Sequence, residues 1–247
     1  MRLLYIVPGA MSKNMGSGEM ERRVGLLREW AFAGTLVDIV DVDEGPASIE
    51  STYEEFLSVP GTLSRVVEAE KAGYNGVIIG CFGDPGVEAA REIASIPVVG
   101  PGEASMLTAA MLGHSFTVIS VLDTLAPAMK KLCASAGVAG KLASVRAAGV
   151  PVLELARDRE ASLKKIVDAG KKAMEEDGAD VLILGCMSMA FLGVSDHVQD
   201  ILGIPVVNPA KVALKALESL VDIGLSHSKK AYPIPPKLRA GGATGEN

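Results

Sequence analysis

The stretch Glu70-Lys-Ala-Gly-Tyr-Asn-Gly-Val-Ile-Ile-Gly-Cys81 decides the fold, because a second copy follows it: Glu175-Glu-Asp-Gly-Ala-Asp-Val-Leu-Ile-Leu-Gly-Cys186. Each copy runs from the end of an amphipathic stretch into a short apolar run closed by Gly-Cys. Farther on, each half repeats Ile-Pro-Val-Val, at Ile96 and at Ile204. The cysteines lie 105 residues apart and the Ile-Pro-Val-Val runs 108 apart. Both copies continue through a turn with proline, Gly100-Pro101 and Asn208-Pro209, into an Ala-rich helical stretch. A shared pattern at nearly one spacing predicts two similar α/β lobes related by a pseudo-twofold axis.

Outward from the repeat, apolar runs predict buried strands at Leu3–Val7, Leu36–Val40, Val77–Gly80 and Pro97–Val99. In the second half they predict Phe116–Val121, Val150–Leu153, Val181–Leu184 and Pro205–Val207. Amphipathic stretches such as Glu19–Ala33, Leu63–Ala72 and Ala161–Glu176 lie between them. Strands joined by helical crossovers imply mainly parallel sheets with helices on both faces. In such sheets a ligand binds beyond the carboxyl ends of the strands, where Cys81 and Cys186 both fall. If the lobes face each other, the two thiols face each other across the cleft.

Composition narrows the partners. The chain has 247 residues, enough for one or two domains at about 150 residues each. Its net charge of −6 and the lack of a long basic run argue against nucleic acid or an anionic membrane surface. Aromatic residues make up only 4%, too few for a base-stacking platform. Three cysteines, an odd number in a chain this long, do not suit a disulfide scaffold. The apolar run Leu3–Val7 is too short for a signal-peptide core and is stopped by Pro8. Val181–Val194 falls short of a membrane span. A cytoplasmic protein with reduced thiols is the expectation.

The thiols carry the chemistry. A sulfur at the start of a helix or turn meets unpaired N–H groups, which favour the thiolate and can also hold a substrate oxyanion. One sulfur on each side of a carbon centre can take a proton from one face and return one to the other. No cofactor is needed if a neighbouring carbonyl spreads the carbanion charge. Other readings fit less well. The histidines, His114, His197 and His227, form no cluster and no Cys-x-x-Cys occurs, so no metal site is expected. Gly16-Ser-Gly18 is too short for a phosphate loop, and Gly9–Gly18 lacks the spacing of a dinucleotide fingerprint. Cys133, in Ala128–Ala136, reads as a small core residue of a helix. His197 reads as a solvated helix residue, and Glu103 as a first-turn helix charge. Asp84-Pro85 reads as a helix start, with Asp84 as the cap.

At these residues the chain resembles the hydantoin and allantoin racemases of the aspartate/glutamate racemase superfamily. The resemblance is carried by Gly45-Pro-Ala-Ser-Ile-Glu50, Cys81-Phe-Gly-Asp-Pro-Gly86, Pro97-Val-Val-Gly-Pro-Gly-Glu-Ala104 and Gly185-Cys-Met-Ser-Met189. The closing segment Gly224-Leu-Ser-His-Ser-Lys229, with Tyr232 and Pro235-Pro236, adds to it. It implies two flavodoxin-like lobes, a two-cysteine mechanism without cofactor, and five-membered cyclic ureides as substrates. Carried over, Cys81 and Cys186 are the acid/base pair. Backbone amides of Phe82, Gly83, Met187 and Ser188 would receive substrate carbonyls. Ser48 and Ile49 would line the cleft from the first lobe and Ser120 from the second.

Three departures from the family pattern are expected near the site. They are Val7-Pro8-Gly9-Ala10 after the first strand, Ser188 in place of glycine, and Asn208-Pro209 after the last strand. They bear on the substrate, with Pro8 counted among the binding residues. The expected first lobe is 1–101 with 209–247, and the second is 102–208. The expected partner is a small-molecule ureide, with a homo-oligomer left open. Racemisation or isomerisation of an open-chain acid, and a non-catalytic two-lobe binding protein, are the alternatives. Tyr232 and the late prolines are expected to pack on the body, and Gly241–Asn247 to lack fixed structure.

Overall fold

A computed structural model describes residues 1–239, so the expectation for Gly241–Asn247 lies outside the described residues. The first four strands are β1 (Arg2–Val7), β2 (Leu36–Asp41), β3 (Gly76–Ile79) and β4 (Val98–Val99). Their helices are α1 (Met11–Met15), α2 (Ser17–Trp30), α3 (Thr52–Lys71) and α4 (Val87–Ile93). The chain then passes through α5 (Pro101–Leu112) into β5 (Phe116–Ser120), α6 (Ala126–Ser135) and β6 (Leu142–Ala147). It continues with α7 (Arg159–Asp177), β7 (Val181–Leu184), α8 (Met187–Phe191), α9 (Ser195–Leu202), β8 (Val206–Val207) and α10 (Pro209–Asp222).

The strands form two parallel sheets of four, ordered β2-β1-β3-β4 and β6-β5-β7-β8. The repeat appears directly in the register: Val77 pairs with Val98 and Ile78 with Val99, as Leu182 pairs with Val206 and Ile183 with Val207. The central strands of each sheet are buried on both faces, as parallel sheets require. Along β1, Leu3, Tyr5 and Val7 enter one core while Leu4 and Ile6 enter another. Along β7, Val181 and Ile183 face one core of the second lobe and Leu182 and Leu184 the other. Helix α5 packs on β7, and α10 returns to pack on α5 and β3.

One expected strand is absent. Val150 and Pro151 are irregular and Val152–Glu154 form a 3-10 helix, and the edge strand of the second sheet is Leu142–Ala147 instead. The reason is chemical. This edge strand is half-buried and polar, with Ser144 2.8 Å from Thr117 Oγ1 and the Arg146 guanidinium paired with Asp177. It therefore lacks the apolar run of a central strand, whereas Pro151 takes a backbone donor out of the run that has one. Helix α3 also starts earlier than its amphipathic pattern, running through Pro60 from a Ser51 cap whose hydroxyl accepts the Glu54 amide.

Each cysteine loop crosses into the opposite lobe. Phe82 packs with Phe116, Val118 and Ile183 of the second lobe. Met187 and Phe191 pack with Leu3, Tyr5 and Leu214 on the first. Phe191 meets Tyr5 edge-on at 5.8 Å and stacks on Trp30 at 6.0 Å between ring centres. The lobes thus exchange the residues that follow the two cysteines, and this fixes both thiols at the seam.

Candidate active site

The cysteines end equivalent strands, and the backbone there is set by close contact. A side-chain carbon at Gly80 would lie 2.3 Å from the Tyr5 ring on the neighbouring strand, and one at Gly185 would lie 2.6 Å from Val118 Cγ1. Only glycine lets each strand close on its central neighbour just before the cysteine. After Cys81 the chain turns sharply, with the Asp84 amide donating to the Cys81 carbonyl and Asp84 at φ 54°. The Asp84 carboxylate accepts the Gly102 and Glu103 amides at 2.9 and 2.7 Å. It therefore caps α5, not the helix that follows it: Gly86 in the left-handed region delays α4 to Val87. Burial pushes this carboxyl up to about 7 against the pull of the two amides. Cys186 is the N-cap of α8.

Both half-buried thiols line one cavity of about 740 Å³ between the lobes. Pro8, Ser48, Ile49, Phe82, Gly83, Met187 and Ser188 line it as well. Ser120 does not. It is fully buried and donates to the Leu122 carbonyl at 3.0 Å, while its neighbour Val121 forms that part of the wall. Strand alternation turns the serine inward and the next residue outward. Asn208 is also away from the cavity. It caps α10 through the Ala210 and Lys211 amides and donates to the Ala190 carbonyl. Cys133 is fully buried in α6, His197 is exposed on α9, and Glu103 pairs with Arg91 in the first turn of α5.

The two sulfurs stand in different surroundings. Removal from water pushes the Cys81 thiol up to about 12; the Gly83 amide opposes this, while Cys186, Asp84 and Glu55 add to it. Burial also raises Cys186. There the Met189 and Ser188 amides, Arg23 and the Ser188 hydroxyl all act in the other direction.

Charged groups of the site that the sequence did not mark include Arg23, Glu55 and Lys131. Arg23 is almost fully buried on α2, its Nε donating to Glu19 at 2.7 Å and its Nη2 to the Ser188 hydroxyl at 3.0 Å. Its guanidinium lies 4.9 Å over the Phe191 ring. The available signal was an arginine on the apolar stripe of α2, four residues after Glu19 and four before the buried Leu27. Glu55 and Lys131 line the same cavity. An added carbon at Gly83 would lie 3.9 Å from Glu55 Oε2 and 4.0 Å from Cys81 Sγ, so the carboxyl and the thiol flank the same glycine. Burial raises the Glu55 carboxyl, and Lys131 opposes the rise.

The described residues contain no helix long and apolar enough to cross a membrane, and no group of three His, Cys, Asp or Glu side chains placed to hold a metal ion.

Known proteins share this architecture. A hydantoin racemase of Pseudomonas sp. (strain NS671) is 38% identical over 214 residues, 86% of this chain and 85% of its own. The solved allantoin racemase of Klebsiella pneumoniae superposes with a TM-score of 0.88 at 30% identity, covering 96% of this chain and 94% of that one. That of Pseudomonas fluorescens gives 0.88 at 32% identity, covering 96% and 97%. The model of the Asp/Glu/Hydantoin racemase family matches residues 20–217. With both repeat copies inside that match, the chain belongs to the Asp/Glu/Hydantoin racemase family and is an isomerase of the racemase type.

Proposed function

We propose that the protein racemises a 5-substituted hydantoin or a related five-membered cyclic ureide, with Cys81 and Cys186 as the acid/base pair. The observation that carries this reading is the pair of half-buried thiols lining one cavity from equivalent strand ends. The relatives named for hydantoin and allantoin support the ring as substrate.

In one direction a thiolate at Cys186 removes the ring C5 proton. The S–H bond forms, the C5–H bond breaks, and the electron pair moves into the adjacent carbonyl as an enolate. The Cys81 thiol then gives its proton to the opposite face of C5, and the charge ends on Cys81. The other enantiomer runs the same steps with the sulfurs exchanged. Between turnovers in one direction, Cys186 gives its proton to water and Cys81 takes one from water, which restores the starting state and carries deuterium into the product in heavy water. Backbone amides beside the sulfurs stabilise the enolate oxygen. The raised thiols suit this task, because a sulfur that ionises reluctantly is a stronger base once it has done so. Val59, Val121, Leu125, Met129, Leu132 and Val152 give the cavity an apolar side for the ring substituent.

The test is proton NMR in heavy water with L- and D-5-alkylhydantoins, allantoin, aspartate, glutamate and maleate, each beside an enzyme-free control. Cys81→Ser and Cys186→Ser run alongside. Enzyme-dependent deuterium uptake at the ring carbon is expected, with racemisation falling by about 10²–10⁴ in either variant. Turnover confined to the open-chain acids overturns the ring assignment. Ligand binding without turnover, intact in both variants, favours a binding protein.

A further inference from the structure

The mirrored strands make the two cysteines equivalent in sequence, but the side chains around them break the mirror. Behind Cys186 stands Arg23, a buried cation on α2 held by Glu19 and donating to the Ser188 hydroxyl at 3.0 Å. Ser188 is two residues after the cysteine, on the first turn of α8. Around Cys81 stand carboxyls instead: Glu55 from α3 and Asp84 from its own turn, with Lys131 of α6 near Glu55. Tyr5 of β1 lies close enough to feel the charge of both sulfurs. Its buried hydroxyl has no partner, and burial keeps it neutral, so it adds no charge to either side.

Resting on the two-thiol reading, we propose that Arg23 is a positioning residue that decides which sulfur of the pair ionises first. Acting through the Ser188 hydroxyl, it makes Cys186 that sulfur, while Cys81, near Glu55 and Asp84, keeps its proton to higher pH.

The physical argument is local. A buried guanidinium needs anionic or dipolar partners, and Glu19 neutralises it on one side only. Its other side polarises the Ser188 hydroxyl, whose proton is then better placed to stabilise a sulfur anion. At Cys81 a second negative charge would be forced against existing carboxylates. Because the thiols interact, ionising one suppresses the other, and a modest bias selects a single charged form of the pair. The unequal opposition to burial at the two thiols agrees with this direction. The singly ionised pair is thus ready for the enantiomer whose proton points at Cys186.

The test is alkylation by iodoacetamide, a neutral reagent, with peptide mapping across pH and the ultraviolet thiolate band recorded in parallel. In the wild type at about pH 8, Cys186 is expected to react about ten-fold faster than Cys81, one unit of pKa being ten-fold. Arg23→Gln is expected to remove the preference and raise the pH midpoint of Cys186 labelling; Arg23→Lys, which keeps the charge, restores it. Should Arg23→Gln fail to fold, Ser188→Ala, which leaves the Glu19–Arg23 pair in place, must still raise that midpoint. Equal labelling of the two thiols, faster labelling of Cys81, or an unmoved Cys186 midpoint in the folded variants overturns the proposal. A merely structural arginine would change the reactivity at high pH, where both sulfurs are ionised, and leave the midpoint in place. The labelling does not depend on turnover. If the cysteine variants lose racemisation but no labelling preference exists, this proposal falls and the two-thiol reading stands. If the preference exists but either cysteine is dispensable for turnover, the two-thiol reading falls and takes this proposal with it.

Discussion

At position 80 a side chain has no room, because the Tyr5 ring occupies the place of the missing Cβ. Gly80→Ala must displace either that ring or the strand end that carries Cys81. The expected cost is about 1–3 kcal/mol of stability, read by denaturant unfolding. Pairing it with Tyr5→Val should recover part of the loss, since the two positions touch and their effects couple; purely additive losses would show that the clash is not the cause. Arg23 shows the same dependence on one neighbour. Its charge is tolerated in a buried place because Glu19, Ser188 and the Phe191 ring receive it. The Gly-Cys pairs are legible in the sequence because the repeat marks them. Arg23 and Glu55 are not, because what makes them part of the site is which residues the other lobe brings to them.

Among the elements, the segment after α10 acts as a strap along the first lobe. Strand β4 is an edge, and its Val98 amide donates to His227 Nε2 at 2.8 Å. Lys229 Nζ gathers the carbonyls of Arg91, Glu92 and Ala94 at the end of α4. Tyr232 accepts from Arg91 and reaches the cavity wall, so this tyrosine packs on the body as its sequence context suggests. A strap of this kind covers an otherwise open sheet edge. It also carries a titrating group. Burial, with Arg91 nearby, holds His227 below its ordinary value, so the folded protein favours the neutral ring that can accept the amide. The unfolded chain takes up that proton near about pH 6.5, and the folded chain only at lower pH. The contribution is therefore complete above about pH 6.5 and is lost as pH falls through the folded-state value. His227→Gln offers an acceptor that does not titrate. Its melting temperature is expected to fall less than that of the wild type between about pH 7.5 and 5.5. Parallel curves would remove His227 from the account.

At the scale of the whole molecule the lobes are joined beside the cavity through Glu50. Glu50, in the loop before α3, accepts the Ser48 hydroxyl at 2.9 Å and the Val152 amide of the second lobe at 2.8 Å. That bridge ties together Ser48, Ile49 and Val152, all of which line the cavity. A hydrogen bond to a charged group contributes about 1.5–3 kcal/mol, so Glu50→Ala is expected to raise KM about ten-fold or more. Glu50→Gln, which keeps an acceptor, should raise it less. Steady-state kinetics on whichever compound shows exchange checks this; equal KM in all three proteins would mean that the bridge does not shape the site.

The sequence by itself determined the two parallel α/β lobes, because strand burial and the repeat are written in contiguous residues. It also marked the cysteines, since two copies of one motif at one spacing identify a pair without coordinates. It misplaced the edge strand of the second lobe, where Leu142–Ala147 satisfies its backbone with few apolar residues. It set Ser120 in the cleft and Asp84 at the start of α4, although a one-residue change of face buries the serine and a left-handed turn aims the carboxylate at α5. Only the tertiary structure decided what surrounds each thiol. Arg23 lies 163 residues from Cys186 along the chain, while Glu55 lies 26 from Cys81. The fields that make the two sulfurs unequal act over distances set by packing, not by sequence.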